Sequence, residues 1–130
     1  MAFATAAIGS ETSGSIISPA IVHSLVGVKP TIGLVSRAGV IPLAHVFDTA
    51  GPMARTVTDA AALLGVVAGV DPLDDASPGF TAALGGVVPD YLAALKPDAL
   101  QGVRLGVRDF DLTTEGLFGA ALDVLRAQGA

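Results

Sequence analysis

Four hydroxyl side chains crowd into the stretch Gly9-Ser10-Glu11-Thr12-Ser13-Gly14-Ser15, which follows an apolar run and leads to Ile16-Ile17-Ser18-Pro19. A serine hydroxyl attacks a carbonyl only when its proton is drawn off and when N–H donors meet the oxygen that turns negative. Gly14 lets the backbone turn tightly ahead of Ser15. The N–H groups of Thr12, Ser13, Gly14 and Ser15 can then converge on one point, so that a nucleophile and an oxyanion hole share a single loop. Two other readings fit the same residue types: an ordinary polar loop, and a non-catalytic module that holds an anion on its N–H groups. The phosphate-loop pattern with its lysine is absent, and neither Lys29 nor Lys96 lies next to the loop.

The flanking sequence supplies elements to hold such a loop. Ala2 to Ile8 reads as a buried strand ended by Gly9. Ser18-Pro19 is a helix start, giving a short helix from Ala20 to Ser24. A strand-to-helix turn bearing a serine exposes the hydroxyl and brings a helix N-terminus near the developing charge. Ser24 to Val28 is the next strand, closed by Lys29-Pro30. Thr31 to Leu43 is broken by Gly33, Gly39 and Pro42 into a turning segment, with Arg37 as a solvated loop arginine. His23 reads as a packed or hydrogen-bonded histidine on its short helix. Asp48 has the composition of a turn, its carboxylate on backbone N–H groups two residues on. Thr56 and Asp59 form a capping arrangement for a helix from Val57 to about Ala68, with Val57, Ala61, Leu64 and Val67 near one face.

Beyond it, residues 69–89 read as a solvated loop. Its Asp71, Asp74 and Asp75 lack the spacing and closing glutamate of a calcium loop. Tyr91 to Leu95 makes one helical turn, Leu100-Gln101-Gly102 a turn, and Val103 to Val107 a strand. Thr113 or Thr114 caps a last helix that has Glu115 early, Leu117, Ala120, Ala121, Val124 and Leu125 at helical spacing, and Gly129 at its end.

Composition narrows the function classes. Of 130 residues 52% are apolar but only 5% aromatic, which suits a segment of a larger α/β protein covered on several sides. A formal charge of -5 gives no footprint for nucleic acid or for anionic membrane. Two isolated histidines without cysteine offer no metal-ligand spacing, and no disulfide framework exists. Met1 to Ala20 lacks a basic n-region and carries Glu11, so it does not read as a signal peptide. The longest apolar stretch, Ala60 to Val70, is too short to span a bilayer. A soluble cytoplasmic protein without cofactor is the expectation.

A wider set of residues resembles a known family. The run Ile8 to Ile16, Ser18-Pro19-Ala20, Val26-Gly27-Val28-Lys29-Pro30-Thr31, Gly33-Leu34-Val35-Ser36-Arg37, Ile41-Pro42 and Asp48 to Thr56 is similar, in that order, to the second half of the signature region of the amidase signature family of serine hydrolases. The resemblance implies an α/β fold with a mixed sheet flanked by helices. It divides the chain, as one partial domain over 1–130, into signature region (1–68), loop (69–89) and a following helix-strand-helix segment (90–130). It makes Ser15 the nucleophile of a Ser–Ser–Lys triad and the N–H groups of Thr12, Ser13, Gly14 and Ser15 the oxyanion hole. The bridging serine and the base lysine belong upstream of the matched segment, so the chain is expected to be a fragment, inactive or nearly so alone. Lys29 falls in a structural segment; a dyad with Ser15 and an ordinary lysine with its ammonium in water or on a carbonyl are the alternatives. Where these amidases often read His-Ser-Gln-Asp-Thr, this chain has His45-Val46-Phe47-Asp48-Thr49, which suggests His45 and Phe47 as pocket-lining residues. The resemblance points to a small-molecule or peptide amide substrate and allows a homo-oligomer. Its alternatives are the amidotransferase component that supplies ammonia for charged tRNA, which needs partner subunits, and a truncated gene product without activity.

Overall fold

The computed structural model describes residues 4–107 and 115–130. The chain divides into two compact units, one through Leu92 and one from Ala93. In the first, β1 (Ala6–Glu11), α1 (Ile17–Val22), β2 (Val26–Gly27), β3 (Thr49–Ala54), α2 (Val57–Val67) and α3 (Ser77–Ala83) follow in order. The described strands form a three-stranded sheet in the order β1-β3-β2, with both pairings antiparallel. The mixed sheet expected from the family is thus purely antiparallel among the described residues.

Central β3 contains Pro52, which has no N–H to give its neighbours. Its carbonyl still accepts the Val28 N–H at 3.0 Å. Beside it, Gly51 is obligatory: a Cβ there would lie 2.1 Å from the Val28 carbonyl oxygen and 2.7 Å from Pro30 Cδ. The chain can therefore pass this close to β3 only over a glycine.

Strand β1 differs from its sequence reading. It runs through Gly9 to Glu11 rather than ending at Gly9, and Ala7, Ile8 and Ser10 are exposed. An edge strand paired only with β3 has an open side, and an apolar run cannot reveal that. Helix α1 begins at Ile17, ahead of the Ser18-Pro19 signal, so that Pro19 sits in the first turn, where a missing N–H costs nothing. Ser24, with φ 53°, reverses the chain into β2, shortening the expected strand to two residues. His23 ends α1 and is exposed rather than packed.

Helix α2 starts as its capping pattern requires. The Asp59 N–H donates to Thr56 Oγ1 at 3.0 Å, and that hydroxyl donates to Asp59 Oδ2 at 2.7 Å. Its buried residues are Ala60 and Leu64, whereas Val57 is exposed, so the inward face is rotated from the one expected. Leu64 joins Leu34, Val35 and Ala50 in the core, with Val28, Val67, Ala68, Phe80 and Tyr91 packed around them.

Residues 69–89 are not a plain solvated loop. They contain α3, and Ser77 is fully buried, taking the Asp71 N–H at 2.9 Å and donating to the Gly69 carbonyl at 3.1 Å. In the second unit, α4 spans Glu115–Ala127. The Gly102 N–H donates to the Gly129 carbonyl at 2.9 Å, and Gln101 Nε2 to that of Gln128 at 3.2 Å. Val103 to Val107 form no strand, because no described strand pairs with them. The expected caps Thr113 and Thr114 lie outside the described residues. Gly129 adopts φ 95° and its N–H closes onto the Arg126 carbonyl, as a helix-ending glycine does.

Candidate active site

Ser15 occupies the turn between β1 and α1 and is exposed, while its neighbour Ile16 is fully buried. Ile16 anchors the turn beneath glycines. A Cβ at Gly9 would come 3.3 Å from Ile16 Cγ1, and one at Gly27 would come 3.2 Å from Ile16 Cγ2. Gly14 has φ +90°, and the Ser18 N–H closes the turn on the Gly14 carbonyl at 2.7 Å. That conformation suits glycine alone, so a side chain at position 14 would displace the residue that carries the hydroxyl.

Helix α1 has no side-chain cap of its own at Ile16. Glu11, 5% exposed, does that work from the end of β1: its Oε2 accepts the N–H groups of Ile16 at 2.8 Å and Ile17 at 2.9 Å. Burial pushes the Glu11 carboxyl up, but the N–H groups of Ile17, Gly14 and Ile16 and the charge of Lys29 outweigh it and leave the pKa lowered. The carboxylate therefore stays ionised against the end of the helix.

A pocket of about 140 Å³ opens beside the turn, lined by Ser10, Thr12, Ser15, Val40, Ile41, Leu43 and Asp48. Hydroxyl-bearing residues of the serine loop and the aliphatic residues 40, 41 and 43 thus meet at it. Asp48 joins the two sets. Thr12 Oγ1 donates to its Oδ1, and the N–H groups of Leu43 and Ala44 donate to Oδ2 at 2.9 and 3.0 Å. The Thr12 hydroxyl, then the Ala44 and Leu43 N–H groups and the nearby His45, lower the Asp48 pKa against the desolvation that raises it. The sequence reading of Asp48 as a turn residue is corrected in one respect: its N–H donors precede it, and its other oxygen reaches across to the serine loop.

A larger open cavity of about 600 Å³, lined by Thr5, His23, Ser24, Met53 and Arg55 among others, lies toward the Ala6–Ala54 end of the strand pair, opposite the Glu11–Thr49 end that carries the serine loop. It holds none of the residues that bear the chemistry described above. Lys29 donates to the Phe47 carbonyl at 3.2 Å from an exposed position, as an ordinary lysine does. His45 and Phe47 are exposed and do not line the pocket beside Ser15. His45 Nε2 instead stands 3.3 Å from Asp75 Oδ1. Among the described residues no cluster of acidic, histidine or cysteine side chains has the grouping a metal requires.

Arg37 is the clearest departure from the sequence reading: it is 6% exposed, not a solvated loop arginine. Its N–H and Nε donate to Asp74 Oδ2 at 2.8 and 2.9 Å, Nη2 pairs with Asp74 Oδ1 and with Asp75 Oδ1, and Nη1 donates to the His45 carbonyl. Asp74, 2% exposed, is held far below the usual carboxylate range by this guanidinium, and the Arg37 pKa is raised in turn. Beside it, Ser36 Oγ donates to Asp71 Oδ2 at 2.6 Å, which lowers the Asp71 pKa. The acidic cluster at 71–75 is thus occupied by protein donors.

Sequence reasoning missed Glu11 as the helix cap and Asp48 as a cross-link. Glu11 carried a signal in being an acid just ahead of a helix, though outside the first turn where such acids are usually sought. Asp48 and Thr12 carried none, since nothing local pairs positions so far apart in the chain.

The family model described as Amidase matches residues 1–129. A putative amidase of Arthroderma benhamiae is 45% identical over all of this chain and 22% of its own length. The A-type subunit of the glutamyl-tRNA(Gln) amidotransferase of Thermosynechococcus vestitus is 48% identical over 96% of this chain and 26% of its own. The native peptide amidase of Stenotrophomonas maltophilia superposes with a TM-score of 0.87 at 46% identity, over 98% of this chain and 26% of that one. The chain spans about a quarter of the length of the relatives it matches.

Proposed function

This chain belongs to the amidase family, and from that membership we propose that it carries the nucleophile of an amide-bond hydrolase, with Ser15 attacking the amide carbonyl. The observation that carries the reading is the Ser15 turn itself: an exposed hydroxyl on a glycine-formed turn between a strand and a helix, fixed from below by buried Ile16 and Glu11. In this reading the Ser15 oxygen bonds to the carbonyl carbon, and the oxygen that becomes negative meets the N–H groups of Thr12, Ser13, Gly14 and Ser15. The amine then leaves with a proton, and water releases the acid from the acyl-enzyme.

The proton has to pass to a base. Lys29 is engaged with the Phe47 carbonyl, so we assign the base and the bridging serine of the Ser–Ser–Lys triad to no residue of this chain. The 130 residues alone are then nearly inactive. The substrate class we propose is a small-molecule or peptide amide, supported by the likeness to the Stenotrophomonas maltophilia peptide amidase. A second reading, as part of the A-type subunit of a tRNA-dependent amidotransferase, is favoured by the 48% identity to the Thermosynechococcus vestitus protein and uses the same serine.

The test is labelling by a fluorophosphonate, which reacts with activated serines. It is applied to this chain and to the Stenotrophomonas maltophilia peptide amidase with its matching segment replaced by residues 1–130. The grafted enzyme should label and its Ser15→Ala variant should not, while the chain alone stays unlabelled. Labelling of the chain alone at Ser15 would overturn the assignment of the base elsewhere. Labelling that survives Ser15→Ala in the graft would overturn Ser15.

A further inference from the structure

The ladder between β1 and β3 ends at the pair Glu11–Thr49, where Thr49 Oγ1 reaches the Glu11 carbonyl at 3.4 Å. The next position in register is Thr12 opposite Asp48, and there a side-chain bond replaces the backbone rung. One residue thereby ties two structures that the backbone has already separated. The Thr12 side is the loop whose N–H groups are assigned to the oxyanion. The Asp48 side, through the N–H groups of Leu43 and Ala44, is the wall carrying Val40, Ile41 and Leu43.

Asp48 is 5% exposed and every described donor on it comes from one of these two sides. The turn it closes is also held from behind. Arg37, locked to buried Asp74, donates to the carbonyl of His45 within that turn. The turn is thus tied to a buried ion pair through Arg37 and to Thr12 through Asp48, and the pocket lies beside the Thr12 tie.

We propose that Asp48 is a positioning residue: its bond to the Thr12 hydroxyl fixes the oxyanion loop against the aliphatic wall, so that the N–H donors stay where the negative oxygen forms. This rests on the assignment of Ser15 as nucleophile, whereas the tie itself does not. A residue that only closed its own turn would need the Leu43 and Ala44 N–H groups and would gain nothing from Thr12. A small misplacement of donors costs on the order of a hundredfold in rate.

The experiment follows backbone amide exchange in this chain for a peptide spanning residues 12–17, with a peptide from α2 as the control for folding. Thr12→Val should speed exchange of the 12–17 peptide about tenfold and leave α2 unchanged, and Thr12→Ser should restore it. Asp48→Asn should speed it similarly, and the double variant should add little to either single one. In the grafted peptide amidase described above, Thr12→Val should lower kcat for a peptide amide at least tenfold with KM nearly unchanged, because the donors act on the transition state. Unchanged 12–17 exchange in Thr12→Val, additive effects in the double variant, or faster exchange with unaltered kcat would each overturn the proposal. Activity that survives Ser15→Ala in the graft would instead remove the nucleophile on which it rests, while the exchange arm still reports whether the tie exists.

Discussion

Of the three buried carboxylates of the first unit, Glu11 and Asp74 hold it together by the most different means. Glu11 is satisfied by backbone N–H groups five and six residues ahead of it. Asp74 also takes the Ala76 N–H at 3.0 Å, but its main donors are the guanidinium and the backbone N–H of residue 37, thirty-seven positions away. The first is a local device: it shapes a helix start and with it the serine turn. The second is a long-range clamp that fixes the segment after residue 37 to the connection between α2 and α3. The contrast is between a charge met by neutral donors that belong to any backbone and a charge met by one side chain that must be present. Losing either carboxylate should hurt, but only the loss of Asp74 leaves a buried charge without a buried counter-charge.

The largest effect is therefore expected for Asp74→Ala, which leaves the buried Arg37 guanidinium with only the exposed Asp75 as an acidic partner. Removing one partner of a buried pair destabilises by about 3–5 kcal/mol, read as a fall in denaturation midpoint. A loss under about 1 kcal/mol would mean that Arg37 finds water and that the clamp is not buried in solution. Replacing Arg37 and Asp74 together by apolar residues of similar size should recover much of that loss, because no charge is then stranded.

Glu11→Ala should cost less, about 1.5–3 kcal/mol, the usual worth of a hydrogen bond to a charged group. Its signature is local: exchange at Ile16 and Ile17 rises more than exchange in α2. Equal rises in both places would erase the distinction between local cap and global clamp.

Acid sharpens the comparison further. Both carboxyls are lowered in the folded chain, so each contributes stability that is fully present above its unfolded value, about 3.9 for Asp and 4.3 for Glu, and that is lost as pH falls through the lower folded value. Stability of the wild-type chain should thus drop below about pH 4. Asp74→Asn should flatten that drop more than Glu11→Gln, since the Arg37 ion pair lowers its partner further than the backbone donors lower Glu11. An acid limb unchanged in Asp74→Asn would contradict the pairing.

The smallest effect belongs to a cap with no buried charge at all. Thr56→Ala should remove about 1 kcal/mol by freeing the Asp59 N–H. A loss as large as that of Glu11→Ala would show that the charge on Glu11 adds nothing.

The same contrast explains what the sequence made legible. Devices that close within a few residues in a familiar pattern were readable: the Thr56–Asp59 cap, the Gly14-Ser15 turn before a short helix, and the helix-ending Gly129; the Glu11 cap, though local, was missed because it stands outside the helix's first turn. The resemblance supplied the family, because it rests on an ordered set of short motifs. Arg37 read as solvated because its partner lies in a stretch of Asp, Pro, Ser and Gly residues with the composition of an open loop. Asp48 read as a local turn for the same reason: its bond to Thr12 exists only once β1 and β3 are in register. Exposure was the least legible property. Ile41 at 92% and Leu43 at 84% exposed carry the chemistry of core residues, and Val103 to Val107 has a strand's pattern without a described partner.

The central claim is that Ser15, among the hydroxyls of its loop, is the nucleophile. Its most direct test is to digest the fluorophosphonate-treated grafted peptide amidase and locate the adduct by mass spectrometry. The added mass should fall on Ser15 and not on Ser10, Thr12, Ser13 or Ser18. An adduct on any of those four, with Ser15 unmodified, would contradict that claim.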